Sequence, residues 1–319
     1  MKLCRIFFCI ILFIFSLTAF AASTSWQSFV AQLRVEAIAK GIRPDVFDRA
    51  FANIHEPNPS VLRFDRTQPE KRITFMQYRN SRAPMSRIAL GHREMKQYGN
   101  LLNAISNHFG VSQCFIVSLW GMESSYGRVT GNYPVIQALA TLAYDNRRAA
   151  FFRKELFYAL EILNGGHVKL ENFKGEWAGA TGQPQFLPSS WHEFAVDYDG
   201  DGKKNIWDSK ADVFASIANY LVKHGWQANQ PWAVTVNLPA GFHQHLLSLQ
   251  EVKTVAAWEQ MGVTLDSHSK IDANLPASII KPSGGPAMMV FNNFKVLMRW
   301  NRSTYYAGTV GYMADQICH

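Results

Sequence analysis

Long apolar runs are scarce in this 319-residue chain, cysteines number only four, and neither internal repeats nor low-complexity tracts occur. Each scarcity excludes something. The longest apolar stretch, Phe7 to Phe20, is shorter than the roughly 20 residues that a membrane-spanning helix requires. Lys2 and Arg5 precede it and Ala19-Phe20-Ala21 closes it, the pattern of an export signal over residues 1–21. The alternative, an uncleaved N-terminal anchor, would use the same residues. Ala22-Ser23 follows the cleavage point where a lipoprotein would need Cys, so the mature chain is expected to be exported, soluble and without lipid.

Removing Cys4 and Cys9 with the signal leaves Cys114 and Cys318, too few for a disulfide framework. A single bridge and a buried free thiol both stay open, because Cys114 sits in an apolar helical run. The chain carries 32 Lys and Arg against 24 Asp and Glu, a net charge of +8 that becomes +6 when Lys2 and Arg5 leave (8 − 2). A basic exported protein suits an anionic polymer or surface. Its charges are scattered, without an Arg-rich stripe or a recognised module, which excludes nucleic acid as the expected partner. Nine Trp offer flat faces that could stack on sugars, although packing is the default role of any one of them.

The mature chain of about 298 residues (319 − 21) is long enough for one large domain or a domain with a sizeable subdomain. Phe29, Leu33 and Ala37 recur at spacing four within Trp26 to Ala52, which reads as helical up to Gly41 and again beyond it. Pro57-Asn58-Pro59-Ser60 reads as a turn. Further helices are expected over Ile73 to Tyr78, Met95 to Phe109, Ser112 to Glu123, Arg147 to Leu163 and Asp212 to His224. After Pro231 the pattern changes. Trp232 to Leu238 has strand composition, mixed strand-like and turn-like pieces run to Pro282, and Ser283-Gly284-Gly285-Pro286 reads as a loop. Phe294 to Trp300 and a helix over Tyr305 to Ile317 close the chain. The fold class is therefore mainly α (α+β), with a small β-containing insertion at approximately 231–292.

One helix carries a candidate acid/base. Ser112 is a plausible N-cap, and Ile116, Leu119, Trp120 and Glu123 then fall on one face, three apolar side chains followed by a carboxylate. A carboxylate held against Trp120 and Leu119 loses hydration, and the helix C-terminus also disfavours negative charge. Both effects raise its pKa toward the range of a general acid at neutral pH. Gly121 and Gly127 allow another backbone or a ligand to approach. For an isolated Glu at a helix end, partial exposure would be the ordinary reading.

A second motif has metal-ligand spacing. Asp197, Asp199 and Asp201 occupy positions 1, 3 and 5 of a 12-residue loop of EF-hand type. Gly202 stands at the sharp turn, the Lys203 carbonyl at position 7, Asn205 at 9 and Asp208 at 12. Several oxygens converging from a tight turn suit a hard cation, and Ca²⁺ is the expected one. Asp208 is shorter than the Glu usual at position 12. A full set of protein oxygens leaves no open position for substrate, so the ion is expected to be a structural clip, with no cofactor needed for catalysis.

Trp120-Gly121-Met122-Glu123-Ser124-Ser125-Tyr126-Gly127 resembles the catalytic stretch of lytic transglycosylases, and the chain as a whole resembles their B type. Four further segments carry the resemblance: Leu62 to Glu70, Gly179 to Ser190, Asp197 to Asp208, and Arg299 to Ser303. Together they run in order over nearly the whole mature chain. The resemblance implies a lysozyme-like core at approximately 95–230, within a catalytic region of 22–319 that adds N-terminal helices. It implies a periplasmic enzyme acting on peptidoglycan glycan strands, with Glu123 as the single acid/base. Tyr78, Ser124, Gln185, Trp300 and Asn301 would contact substrate. By the same resemblance the MurNAc-GlcNAc bond is cut without water to leave 1,6-anhydroMurNAc ends, an exception to the two-carboxylate scheme. Cell-wall synthesis enzymes are the further partners to expect, and a monomer the expected state. This chain departs from the family at Glu176 (a small hydroxyl residue expected), Thr181 (Met usual) and Trp300 (Tyr usual). A hydrolytic muramidase pairing Glu123 with Glu176 or Asp145 stays open, as does a non-catalytic wall-binding protein.

Overall fold

A computed structural model describes residues 25–67, 73–266 and 271–319. The expected export signal, its expected cleavage point at Ala22 and the Gln68 to Glu70 end of one segment of the resemblance lie outside the described residues. The chain opens with helices α1 (Trp26–Ala39) and α2 (Pro44–Phe51), separated at Gly41, whose φ of 87° is a left-handed conformation that favours glycine. Helix α3 (Pro59–Arg66) begins where the sequence suggests only a turn. The Asn58 side chain accepts hydrogen bonds from the Ser60 and Val61 N–H groups, so the chemistry that would close a turn here caps a helix instead. Thr74 and Gln77 form a reciprocal cap at the start of α4 (Phe75–Arg82).

Helices α5 (Met85–Gln97) and α6 (Gly99–Phe109) meet at Tyr98, so the helical run starts ten residues earlier than the expected Met95 (95 − 85). Then come α7 (Gln113–Ser124), strand β1 (Tyr133–Pro134) and α8 (Val135–Tyr144). The sequence gives little sign of α8, because it is apolar almost all round. Only Gln137 and Tyr144 escape full burial, so no amphipathic period marks it. Helix α9 (Ala149–Asn164) packs on α8, with Leu156, Leu160 and Leu163 buried in the core. Strand β2 (Lys174–Gly175), α10 (Pro188–Phe194) and α11 (Lys210–Lys223) complete the helical core.

The insertion is a five-stranded antiparallel sheet, with α12 (Val255–Gln260) on one face. Its strands are β3 (Ala233–Asn237), β4 (Lys253–Thr254), β5 (Thr264–Leu265), β6 (Pro276–Ile280) and β7 (Met288–Val290), in the order β4-β6-β7-β3-β5. Its central hairpin is buried on both faces. Ile279 pairs with Met289 and both join Trp258 of α12 in a separate small core, while the next pair, Ile280 and Met288, packs into the main helical core. The two-residue period of a strand thus ties the insertion to the helical body. The loop joining β6 to β7 reaches α4, where the Phe75 N–H donates to the Ser283 carbonyl at 2.8 Å.

Helices α13 (Asn292–Trp300) and α14 (Thr304–Cys318) return the chain to the core. Helix α14 lies antiparallel to α7 and is fastened to it at three levels. Cys114 and Cys318 form a disulfide at one end, with a Cα–Cα distance of 5.8 Å, which resolves the pairing in favour of a bridge. The Ser118 hydroxyl donates to the Val310 carbonyl midway at 2.7 Å. At the far end the Tyr306 hydroxyl donates to Glu123 Oε1.

Candidate active site

Glu123 is the penultimate residue of α7, and the chain turns sharply just after it. Ser125, Tyr126 and Gly127 have φ values of 51°, 64° and 78°, three successive left-handed residues of which two carry side chains. Such backbone strain persists only when the surroundings fix it. Here Ser124 Oγ accepts from the Gly127 N–H at 2.9 Å and donates to the Trp120 carbonyl, and the Tyr126 hydroxyl donates to the Arg87 carbonyl at 2.8 Å. Ser124 is therefore a buried fastener of this turn, which corrects the substrate contact expected of it: its hydroxyl points into the protein and is fully engaged.

The α7 helix is anchored beneath by Trp120, whose indole N–H donates to Gln183 Oε1 at 2.8 Å. Gln183 Nε2 in turn donates to the Trp207 carbonyl, and the Trp207 indole donates to Thr181 Oγ1 at 2.9 Å. Thr181 then donates to the Lys174 carbonyl at 2.7 Å. The departure at Thr181 thus supplies a fully buried hydroxyl that closes a continuous polar chain, which a thioether could not do. Gln185 sits beyond it at a φ of 53°, with Nε2 donating to the Gly182 and Thr130 carbonyls. With both amide hydrogens engaged, a sugar contact from Gln185 has to use Oε1 as acceptor.

Glu123 is half-buried, and the lost hydration raises its pKa from 4.5 to about 7. The hydrogen bond from Tyr306, the Trp300 indole and the Arg82 charge oppose that rise without cancelling it. Trp300 packs at a tilt against Tyr220 and Phe186, at ring-centroid distances of 4.5 and 5.4 Å. Tyr78 stands edge-on to Tyr305 at 5.9 Å, and burial together with the Glu123 charge raises its pKa. Of the residues expected here, the structure gathers Trp300 and Tyr78 around Glu123. Asn301 caps α13 next to Trp300 and is exposed. The residue missed was Tyr306. It lies three positions after its helix cap, Ser303, and nothing in the sequence separates it from an ordinary packed aromatic.

Neither candidate for a second carboxylate joins the site. Glu176 is an exposed loop residue whose N–H donates to the Ala180 carbonyl, and Asp145 forms an ion pair with Arg66 at 3.2 Å. Among the described residues, the charges that act on Glu123 include no other carboxylate.

The acidic loop is arranged differently from its expected ligand set. Oxygens of Asp197, Asp199 and Asp212 lie within 4.8 Å of one another. Asp212, in the first turn of α11, is buried; its two oxygens accept the Tyr198 and Asn205 N–H groups. Asp208 is exposed and outside this group, a correction to its place as the twelfth-position ligand. Asn205 Oδ1 accepts the Trp207 and Asp208 N–H groups, and Asp201 accepts that of Lys203. Those bonds shape the loop. An all-oxygen donor set of three carboxylates suits a hard divalent cation.

Comparison with known proteins places this geometry. The sequence profile of the transglycosylase SLT domain family matches residues 25–315. The chain is 32% identical over 253 residues to membrane-bound lytic murein transglycosylase B of Escherichia coli K12, covering 76% of this chain and 67% of that protein. SltB3 from Pseudomonas aeruginosa, solved in complex with NAG-anhNAM-pentapeptide, superposes with a TM-score of 0.89 at 39% identity, over 92% of this chain and 80% of that one. The E. coli lytic transglycosylase Slt35 in complex with calcium superposes with a TM-score of 0.78 at 29% identity, over 91% and 92% of the two chains.

Proposed function

This chain belongs to the transglycosylase SLT domain family, and from that premise we propose that Glu123 is the single acid/base of a peptidoglycan lytic transglycosylase. The enzyme cleaves the MurNAc-GlcNAc β-1,4 bond without consuming water. The observation that carries the site assignment is a half-buried carboxylate with its pKa raised to about 7, hydrogen-bonded to Tyr306 and without a carboxylate partner among the described residues.

In this mechanism protonated Glu123 donates to the glycosidic oxygen as the C1–O bond breaks, and the substrate's own N-acetyl group stabilises C1. The resulting carboxylate takes the proton of the C6 hydroxyl, whose oxygen closes on C1. One proton is given and one recovered, so a single group serves both half-reactions. Tyr306 holds the carboxylate in place through each change of charge, and Trp300 offers a face for a sugar ring. Mass analysis of products from purified wall tests this reading. Products lighter by one water than hydrolytic ends are expected, whereas reducing-end MurNAc as the main product would replace the reading with a muramidase.

The acidic loop is proposed to hold Ca²⁺ through Asp197, Asp199 and Asp212, bracing Trp207 and hence the polar chain under α7. Metal at about 100 times its dissociation constant adds roughly 2.7 kcal/mol of stability, so chelation should lower the melting temperature by about 5 to 10 °C. Asp212→Ala should abolish that response and Asp208→Asn should keep it. A chelator response that survives Asp212→Ala would return the twelfth-position acid to the ligand set. Among the described residues no helix is long and apolar enough to cross a membrane. A periplasmic enzyme released at Ala22 is the proposed mature form, which N-terminal sequencing checks.

A further inference from the structure

Two arginines, Arg82 and Arg87, meet at the rim of the site, close enough for the charge of one to act on the other. Arg82 ends α4, exposed, its guanidinium carbon 5.9 Å from the centre of the Tyr78 ring. It lies near enough to Glu123, Tyr78 and Arg87 for its charge to act on all three. Arg87, half-buried, donates through one arm to the Arg82 carbonyl and through the other to Ser125 Oγ at 3.0 Å. Arg87 thus pins the end of α4 to the strained turn that follows Glu123, and two of its five N–H donors are used in doing so. The Arg82 side chain makes no hydrogen bond or ion pair among the described residues. In contrast, the Arg147–Asp65 and Arg153–Glu36 ion pairs elsewhere on the protein satisfy their arginines. The carboxyl group beside Arg82 among the described residues, Glu123, has its pKa raised to about 7, so it offsets the Arg82 charge only in part at neutral pH. Adjacent like charges only partly compensated in this way favour an incoming anion, and a guanidinium presents a planar fork suited to a carboxylate.

We propose that Arg82, supported by Arg87, is a binding site for a carboxylate of the substrate, carried on the muramoyl unit next to the scissile bond. Such a carboxylate has two sources: the peptide stem, or the lactyl group where the stem is absent. The inference rests on the transglycosylase reading. In this arrangement Arg82 fixes the muramoyl unit while Tyr78, under the guanidinium, forms the wall below it. An occupied site would also neutralise the positive charge that holds the Glu123 pKa down, favouring the protonated form as substrate docks. Arg82 is here a substrate-positioning residue for the muramoyl unit and takes no part in proton transfer.

The test compares the parent enzyme with Arg82→Gln and Arg82→Lys on three glycans: strands bearing peptide stems, stem-free strands with a free lactyl carboxylate, and stem-free strands with that carboxylate converted to a neutral amide. Losing a charge-assisted hydrogen bond is expected to lower kcat/KM about 10-fold for Arg82→Gln, chiefly through KM. Arg82→Lys, which keeps the charge but not the fork, should fall between. A loss confined to stem-bearing strands identifies the stem carboxylate, and one that includes the free lactyl group identifies that source. On the neutral amide the loss should be clearly smaller than on the carboxylate-bearing glycans when each enzyme is compared at its own pH optimum, because removing the Arg82 charge also lifts the Glu123 pKa. An equal loss on all three glycans, or no loss on any, overturns the proposal. The parent enzyme's products on the same glycans report separately on the transglycosylase reading, since absence of anhydro ends there would sink that reading first. Unchanged melting temperatures for both variants, expected for an exposed side chain, exclude misfolding as the cause.

Discussion

Glu123→Gln is expected to lower turnover about 10⁴-fold or more while leaving the fold and glycan binding intact. The amide keeps the shape of the side chain and accepts from Tyr306, but it can neither donate nor recover a proton. General acid/base catalysis typically contributes 10² to 10⁴ in rate, and here one group serves both half-reactions. The pH dependence has a definite sign. The first step needs protonated Glu123, so activity in the parent enzyme should decline as pH rises through about 7, the value to which burial lifts this group. Tyr306→Phe deletes the hydrogen bond that favours the carboxylate, so the decline should move to higher pH.

Stability follows the same group in the same sense. The folded protein keeps on Glu123 a proton that the unfolded chain releases above about 4.5, so this residue's contribution to stability diminishes as pH rises from there to about 7. The Gln variant escapes this and should be at least as stable as its parent at pH 8. Steady-state rates on soluble glycan, with melting curves on the same preparations, check each statement. Near-parental turnover by Glu123→Gln would remove Glu123 from the mechanism.

Breaking the Cys114–Cys318 bridge is the change with the largest expected effect on stability. The two residues are 204 apart in sequence, and closing a loop of that length restricts the unfolded chain by about 5 kcal/mol in the chain-entropy account. Against a typical total of about 5 to 15 kcal/mol, that is a third of the stability or more. Cys318→Ser is the cleaner variant, because Cys318 is exposed whereas Cys114 is 2% exposed and packed in the core. Urea unfolding of the oxidised parent and of the variant should give clearly separated midpoints. Coincident midpoints, on parent protein shown by thiol titration to be oxidised, would leave the bridge without a role in stability. A bridge of this kind persists in an oxidising compartment, which agrees with the periplasmic location proposed above.

What each helix does alone was legible in the sequence where one face is apolar and the other polar. Helices α1 and α11 announce themselves by spacing, as does the acid at the end of α7, since Ile116, Leu119, Trp120 and Glu123 share a face. The acidic loop was legible because its oxygens come from near neighbours in the chain. Helix α8 was not, being buried on nearly every side and so lacking a period to read.

The rest was decided by contacts between residues far apart. Tyr306 becomes the partner of Glu123, 183 residues away, only because α14 packs antiparallel on α7. Cys114 finds Cys318 for the same reason. Asp212 joins Asp197 and Asp199 because the first turn of α11 folds back over the loop, displacing Asp208 from the group that spacing alone assigns to it. Ser124, set beside the acid in the sequence, is turned into the protein by a backbone that needs its hydroxyl to hold three left-handed residues. Local pattern determined which groups could do chemistry. Packing determined which of them meet, because a side chain's neighbours in space depend on how whole helices dock.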